Sequence, residues 1–136
     1  MTSPSTGTAP SRLEHEHKLV RGLAEELLAA SSRPALDRVV HEAGAFLSQH
    51  FAWEERLDGP LARAVARHPD EEWRFEAVCE EHARMLEIID ELFLLVARDD
   101  SWDRATQLAS VLAQQLLAHE QHEAEWLQRA GGRSDS

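Results

Sequence analysis

Four histidines and two glutamates stand where this chain would be expected to place leucines. In HFAWEERL, His50 and Glu54 are four residues apart, and in LLAHEQHEAEWL, His119 and Glu123 repeat that spacing. Positions i and i+4 share one helix face, so each pair can address a single point. His17 and His82 occupy comparable positions alone. Imidazole nitrogens suit Fe, Zn, Cu and Ni, and a carboxylate can bridge two ions. Burying unpaired carboxylates costs several kcal/mol, a penalty that two divalent cations remove. The chemistry these residues predict is metal binding at a di-metal site.

Four helices must position these groups. Ser11-Arg12-Leu13-Glu14 reads as a capping box with Ser11 as N-cap. Leu13, Val20, Ala24 and Leu27 follow in helical phase with His17, and Ser31-Ser32-Arg33-Pro34 ends this helix. The second helix is expected from Ala35 to Leu57, with Leu36, Val40, Ala43, Leu47, His50, Glu54 and Leu57 on one stripe. Asp58-Gly59-Pro60 breaks it. Residues 61–68 suit a short extra turn or two. Pro69-Asp70-Glu71-Glu72 reads as a helix start, with acids over the positive end of the dipole. The third helix then carries Phe75, Val78, His82, Met85, Ile89, Leu92 and Val96. Ser101 is the expected N-cap of the fourth, which carries Leu108, Leu112, Leu116, His119, Glu123 and Trp126 and ends at Gly131-Gly132.

No strand pattern competes with these stripes. Short connections favour antiparallel neighbours, so the expected fold is all-α, an antiparallel up-down-up-down four-helix bundle over residues 11–130 with a di-metal site in its core. Residues 1–10 are expected to be a disordered N-terminal tail and residues 131–136 a C-terminal tail.

Height along the bundle brings the six residues together. His17 and His50 lie about 16 and 17 residues either side of Arg33, or roughly 25 Å along each helix. His82 and His119 lie about 18 and 19 residues either side of Asp100, or roughly 28 Å. With both turns at one end, the four histidines fall in one layer and Glu54 and Glu123 lie within a turn of it. Hydrophobic patterning alone demands no such coincidence.

Other residues have plainer readings. His15 is about 200° around the helix from His17, so the two cannot both face the site, and His17 shares the apolar stripe. His41 falls off its stripe. His122 reads as a flank residue, with a substitute ligand for His119 as the alternative, and Glu55 is a rim residue or a second acceptor behind a histidine. His68 and Glu72 repeat the four-residue spacing, but Pro69 separates them. Cys79 is read as a small core residue, with a functional thiol as the alternative. Trp53 and Trp126 flank the two pairs and read as packing.

Hydrophobic residues make up 43% of the chain and charged residues 29%, within the range of a folded domain. The formal net charge of −11 opposes phosphate, which argues against nucleic acid or an anionic membrane as partner. A single cysteine excludes an internal disulfide and fits a reducing compartment. The longest apolar run, Leu92 to Ala97, is too short to span a bilayer, and the first residues lack the charge and apolar core of a signal peptide. A cytoplasmic location is expected.

The segments LEHEHKLVRGLAEEL, LSQHFAWEERLDGPL, CEEHARMLEIIDEL and LLAHEQHEAEWL resemble the hemerythrin-like, HHE cation-binding family from residue 12 to about 128. The resemblance implies two non-haem iron ions. His17 and His50 would bind one and His82 and His119 the other, with Glu54, Glu123 and an oxo or hydroxo group as bridges. It implies a small diatomic or peroxide ligand: O2, NO or H2O2. The chain departs from the oxygen carriers of that family. Where they have a second histidine on the third helix, it has Val78 and Leu86, and where they have an aspartate on the fourth, it has Ala124. This argues against simple reversible O2 carriage. It favours binding or reduction of small oxidants, with a non-enzymatic oxygen, redox or iron sensor, or a role in iron homeostasis, as the alternative.

Overall fold

The structure, a computed structural model, describes residues 9–98 and 100–134. These form five α-helices, and no strand occurs among them: α1 (Ala9–Ala29), α2 (Arg33–Glu54), α3 (Pro60–Arg67), α4 (Glu72–Val96) and α5 (Trp102–Ser134). The expected N-terminal tail falls outside the described residues for positions 1–8, and so do Asp99, Asp135 and Ser136.

The connections follow the local chemistry. The Ser32 hydroxyl accepts from the Ala35 amide at 3.2 Å, so Ser32, expected only to end the first helix, caps the start of α2, with Pro34 in its first turn. At the far end of α2, the amide of Glu55 bonds to Phe51 O and that of Arg56 to Trp53 O, and the chain turns away. The helix therefore stops at Glu54, not Leu57. Leu57 leaves the stripe and is 94% exposed, contrary to its expected core position. Gly59 is required in the turn that follows, because a Cβ there would lie 2.7 Å from Trp53 O. Pro60 then opens α3, and Pro69–Glu71 forms a 3-10 turn leading into α4.

Two further expected boundaries shift, and one expected cap acts elsewhere. α1 begins at Ala9, so Ser11 lies inside the helix and is not its N-cap. Ser101 does precede α5, and its carbonyl accepts from the Ala105 amide at 2.8 Å. Its hydroxyl, however, points backward and donates to Leu95 O at 2.6 Å and Arg98 O at 3.1 Å, sealing the end of α4. Gly131-Gly132 does not stop α5, which runs to Ser134. Glycine permits a helix end without requiring one.

The four long helices enclose one interior. α1 packs against α2 and α5, and α4 packs against the same two. Arg33 donates to Val96 O at 3.1 Å and also to Arg98 O, which ties the turn before α2 to the end of α4. The two turns used as the floor of the height argument are therefore neighbours. The main apolar cluster contains Leu36, Leu47, Met85, Ile89, Leu92, Leu112 and Leu116. Burying each such side chain stabilises the fold by roughly 1.5–3 kcal/mol. A smaller cluster of Leu61, Ala64, Val78, Trp126 and Ala130 joins α3 to α4 and α5. The Trp126 indole within it donates to Glu71 at 2.9 Å. Along α4, His82 separates Val78 of the small cluster from Met85 of the large one. Along α5, His119 and Glu123 separate Leu116 from Trp126. A polar layer thus interrupts the core between its two apolar parts. No helix among the described residues is long and apolar enough to cross a membrane.

Candidate metal centre

The polar layer contains all six residues singled out by spacing. Their exposures are 7% for His17, 3% for His50, 0% for Glu54, 1% for His82, 8% for His119 and 2% for Glu123. They come from α1, α2, α4 and α5. His50 and Glu54 project together from α2, and His119 and Glu123 from α5, because each pair is one turn apart.

Their donor atoms fall into two overlapping groups. One is His17, His50, Glu54 and Glu123; the other is Glu54, His82, His119 and Glu123. Within each group the donor atoms lie within 4.8 Å of one another. Both carboxylates belong to both groups. His17 Nε2 donates to Glu123 Oε1 at 2.9 Å and lies 3.3 Å from Glu54 Oε2. His50 Nε2 lies 3.2 Å from Glu54 Oε2, and His82 Nε2 lies 3.2 Å from Glu54 Oε1. His119 Nε2 lies 3.4 Å from Glu123 Oε2 and 3.1 Å from His82 Nε2.

Every histidine thus presents Nε2 inward. Three of them hold a carboxylate at Nδ1: Glu16 meets His50 at 2.6 Å, Glu55 meets His82 at 2.7 Å, and Glu81 meets His119. With a cation bound, this contact would keep the proton on Nδ1 and leave the Nε2 lone pair for the cation. The three carboxylates share a rule. Glu16 precedes His17, Glu55 follows Glu54, and Glu81 precedes His82, and each reaches the histidine of the neighbouring helix. Of the three, spacing pointed only to Glu55, and only as one of two readings. Glu16 and Glu81 lie off the apolar stripe, and the usable signal was a glutamate adjacent to a site residue. Aromatic rings hold two of the imidazoles in place. Phe51 stacks on His82 with centroids 3.9 Å apart, and Phe46 stacks on His50 at 5.6 Å.

His17 differs from the other three. The residue that continues the pattern is Glu120, next to His119 on α5. Its Oε1 instead accepts from Arg21 at 2.8 Å, and its Oε2 is buried with no hydrogen-bond partner.

The electrostatics follow from the packing. Burial pulls the His17 pKa down, but hydrogen bonds to Glu123 and Glu54 override it and raise it to about 10. Burial likewise opposes, and Glu123 and Glu81 outweigh it, in raising His119 to about 9. His50 moves up against its burial because of Glu54 and Glu16. Burial pushes Glu54 upward, yet contacts with Glu123, His17, His50 and His82 hold its carboxyl well below the usual range. In the absence of metal, protons hold these carboxylates and imidazoles together.

The other expected residues take peripheral places. His15, His41 and His122 are exposed. His41 bonds to Asp37 O on its own helix. The Cys79 thiol is half-buried, and burial together with Glu55 pushes its pKa up to about 11, which keeps it protonated and a weak nucleophile. Trp126 is core, and Trp53 lies under the Arg12 guanidinium, 4.1 Å from its centroid.

The family model for the hemerythrin HHE cation-binding domain matches residues 8–130. The chain belongs to that family. No curated protein and no solved structure matches it. The family description implies cation binding, and this HHE domain fits it on its own geometry. Glu54 Oε1 and Glu123 Oε2 are buried without a hydrogen-bond partner. Orphaned carboxylate oxygens at the centre of a layer of four imidazoles are what a cation would satisfy. The positions that lack extra donors offer none in space either: Val78 belongs to the small apolar cluster, Leu86 packs on the large one, and Ala124 is exposed.

Proposed function

We propose that this HHE domain holds two non-haem iron ions and binds or reduces a small oxidant, O2, NO or H2O2, at that centre. His17 and His50 serve one ion and His82 and His119 the other, with Glu54 and Glu123 shared. The observation that carries this reading is the membership of both carboxylates in both donor groups. Two histidines per position, with no further donor from Val78, Leu86 or Ala124, leave coordination positions for an exogenous ligand.

Bound iron would supply Lewis acidity and one-electron redox chemistry. The chain's own residues provide the rest. Glu16, Glu55 and Glu81 fix three imidazoles by their Nδ1 protons. Phe51, Met85 and Leu116 exclude bulk water from the side of the main core.

The same reading includes an antiparallel up-down-up-down arrangement of α1, α2, α4 and α5. It is supported by paired contacts that run in opposite senses: His17 with Glu123 and Arg21 with Glu120, then His119 with His82 and Arg104 with Glu91. The reading also includes a cytoplasmic location, with neither nucleic acid nor membrane as partner, supported by the charge of −11 and the lone cysteine.

Stopped-flow mixing of the reduced, iron-loaded protein with H2O2, O2 and NO tests the function. Turnover of peroxide marks an enzyme, and a single stoichiometric spectral change marks a sensor. Absence of any response to all three ligands would defeat the proposal.

A further inference from the structure

His17 borders a large cavity among the described residues. That cavity, about 770 Å3, lies between α1, α3 and α5 and is lined by Leu13, His17, Arg63, Ala64, Arg67 and Leu127, among others. A smaller cavity of about 180 Å3 reaches His119, but Glu81 lines it and already holds His119 Nδ1. On the His17 side no carboxylate among the described residues occupies Nδ1, because Glu120 is engaged by Arg21.

The charge of this cavity is also distinctive. Arg63 and Arg67 lie one turn apart on α3 and both line it, against the single carboxylate of Glu14. The chain as a whole carries a net charge of −11, so its general field repels anions. Two guanidiniums on the wall of a partly apolar cleft add positive potential that an anion would feel over about a Debye length, roughly 8–10 Å, although Arg63 shares its charge with the exposed Asp58 carboxylate. Arg63 also donates to Asp58 O at 2.8 Å, which anchors it at the start of α3.

We infer that the α1–α3–α5 cavity is the entry and holding site for a small monoanion, drawn in by Arg63 and Arg67 and delivered to the His17 side of the centre. The delivery step rests on the metal reading above; the anion site itself rests on the cavity. A cation entering by this route would meet the wrong charge, and a neutral ligand would gain nothing from the arginines.

Azide is a suitable probe, with Co2+ as a spectroscopic metal in the full-length protein. Association is followed by stopped-flow absorption in wild type and in the Arg63→Gln/Arg67→Gln variant, at low and high salt. Both side chains are exposed, and circular dichroism checks that the variant is folded. At low salt the variant should bind azide roughly three- to tenfold more slowly, with the ratio approaching one as salt screens the arginines. Equal rates at low salt would overturn the inference. If the protein takes up no cobalt, the metal centre fails, and azide titration of the metal-free protein followed by histidine-ring NMR decides the cavity separately. Shifts of His17 ahead of His50 and His82, lost in the variant, would uphold the anion site. Shifts without that preference would overturn it.

Discussion

Replacing Glu54 by Gln is the perturbation with the largest calculable effect. Glu54 has no exposed surface. Its oxygens lie 3.3 Å from His17, 3.2 Å from His50 and 3.2 Å from His82. Glutamine preserves the volume, removes the charge, and exchanges one acceptor oxygen for an NH2 group that cannot ligate a cation. Removing one partner of a buried ion pair costs about 3–5 kcal/mol. At about 3–4 °C per kcal/mol for a chain of this size, Tm of the metal-free protein should fall by roughly 10–20 °C. In wild type, metal at a hundredfold excess over Kd adds about 2.7 kcal/mol, or roughly 8–11 °C on the same scale. The variant should gain almost none of this, because the lost carboxylate serves both donor groups. Thermal melts with and without metal, alongside elemental analysis, measure both effects. A Glu54→Gln protein that keeps two ions per chain and the full metal-induced rise in Tm would refute the shared role of this carboxylate.

The remaining predictions concern the histidines and their outer partners. Their raised pKa values, about 10 for His17 and about 9 for His119 against 6.5, mean that the stability they lend the metal-free protein is complete below about pH 6.5 and is lost as pH rises through 9 to 10. The lowered Glu54 acts at the other end, contributing above its ordinary 4.5 and failing only as pH falls through its depressed value. Metal-free Tm should therefore drop between pH 7 and pH 10. Because metal ligation needs neutral imidazoles, metal affinity should rise over that interval, and metal titrations at pH 6.5, 8 and 9.5 would show the opposite trends. Glu55→Ala should weaken metal binding by about 10–100-fold by freeing His82 Nδ1, as competition with a chelator would register. His15→Ala should leave the metal count unchanged; a loss comparable to that of His17→Ala would move the α1 donor to His15.

Much of the site was legible because it is periodic. His50 and Glu54 continue the stripe of Leu36, Val40, Ala43 and Leu47, and residue counts to two turns place all four histidines at one height. The link from Arg33 to Val96 shows why counting worked: the two turns touch. What was not legible depends on contacts across helices. Glu16 and Glu81 sit off the stripe and gain their role only from the neighbouring helix in the ring. Helix ends were read less well than helix faces. Leu57 continues the phase in sequence, but the turn at Glu55 and Arg56 closes first. Ser101 has the residue type of an N-cap, yet its hydroxyl finds the carbonyls ending α4. Gly131-Gly132 stays helical because glycine tolerates both states. The cavity beside His17 depends on where α3 lies, and its sequence LARAVARH suggested only a short turn.

Metal content of the purified, iron-reconstituted protein is the most direct test of the central claim. Two iron ions per chain, released together on acidification and bound by nitrogen and oxygen at about 2.0–2.2 Å in X-ray absorption, are the predicted result. Protein that emerges from iron reconstitution without metal, or with a single ion unaffected by Glu54→Gln, would contradict it.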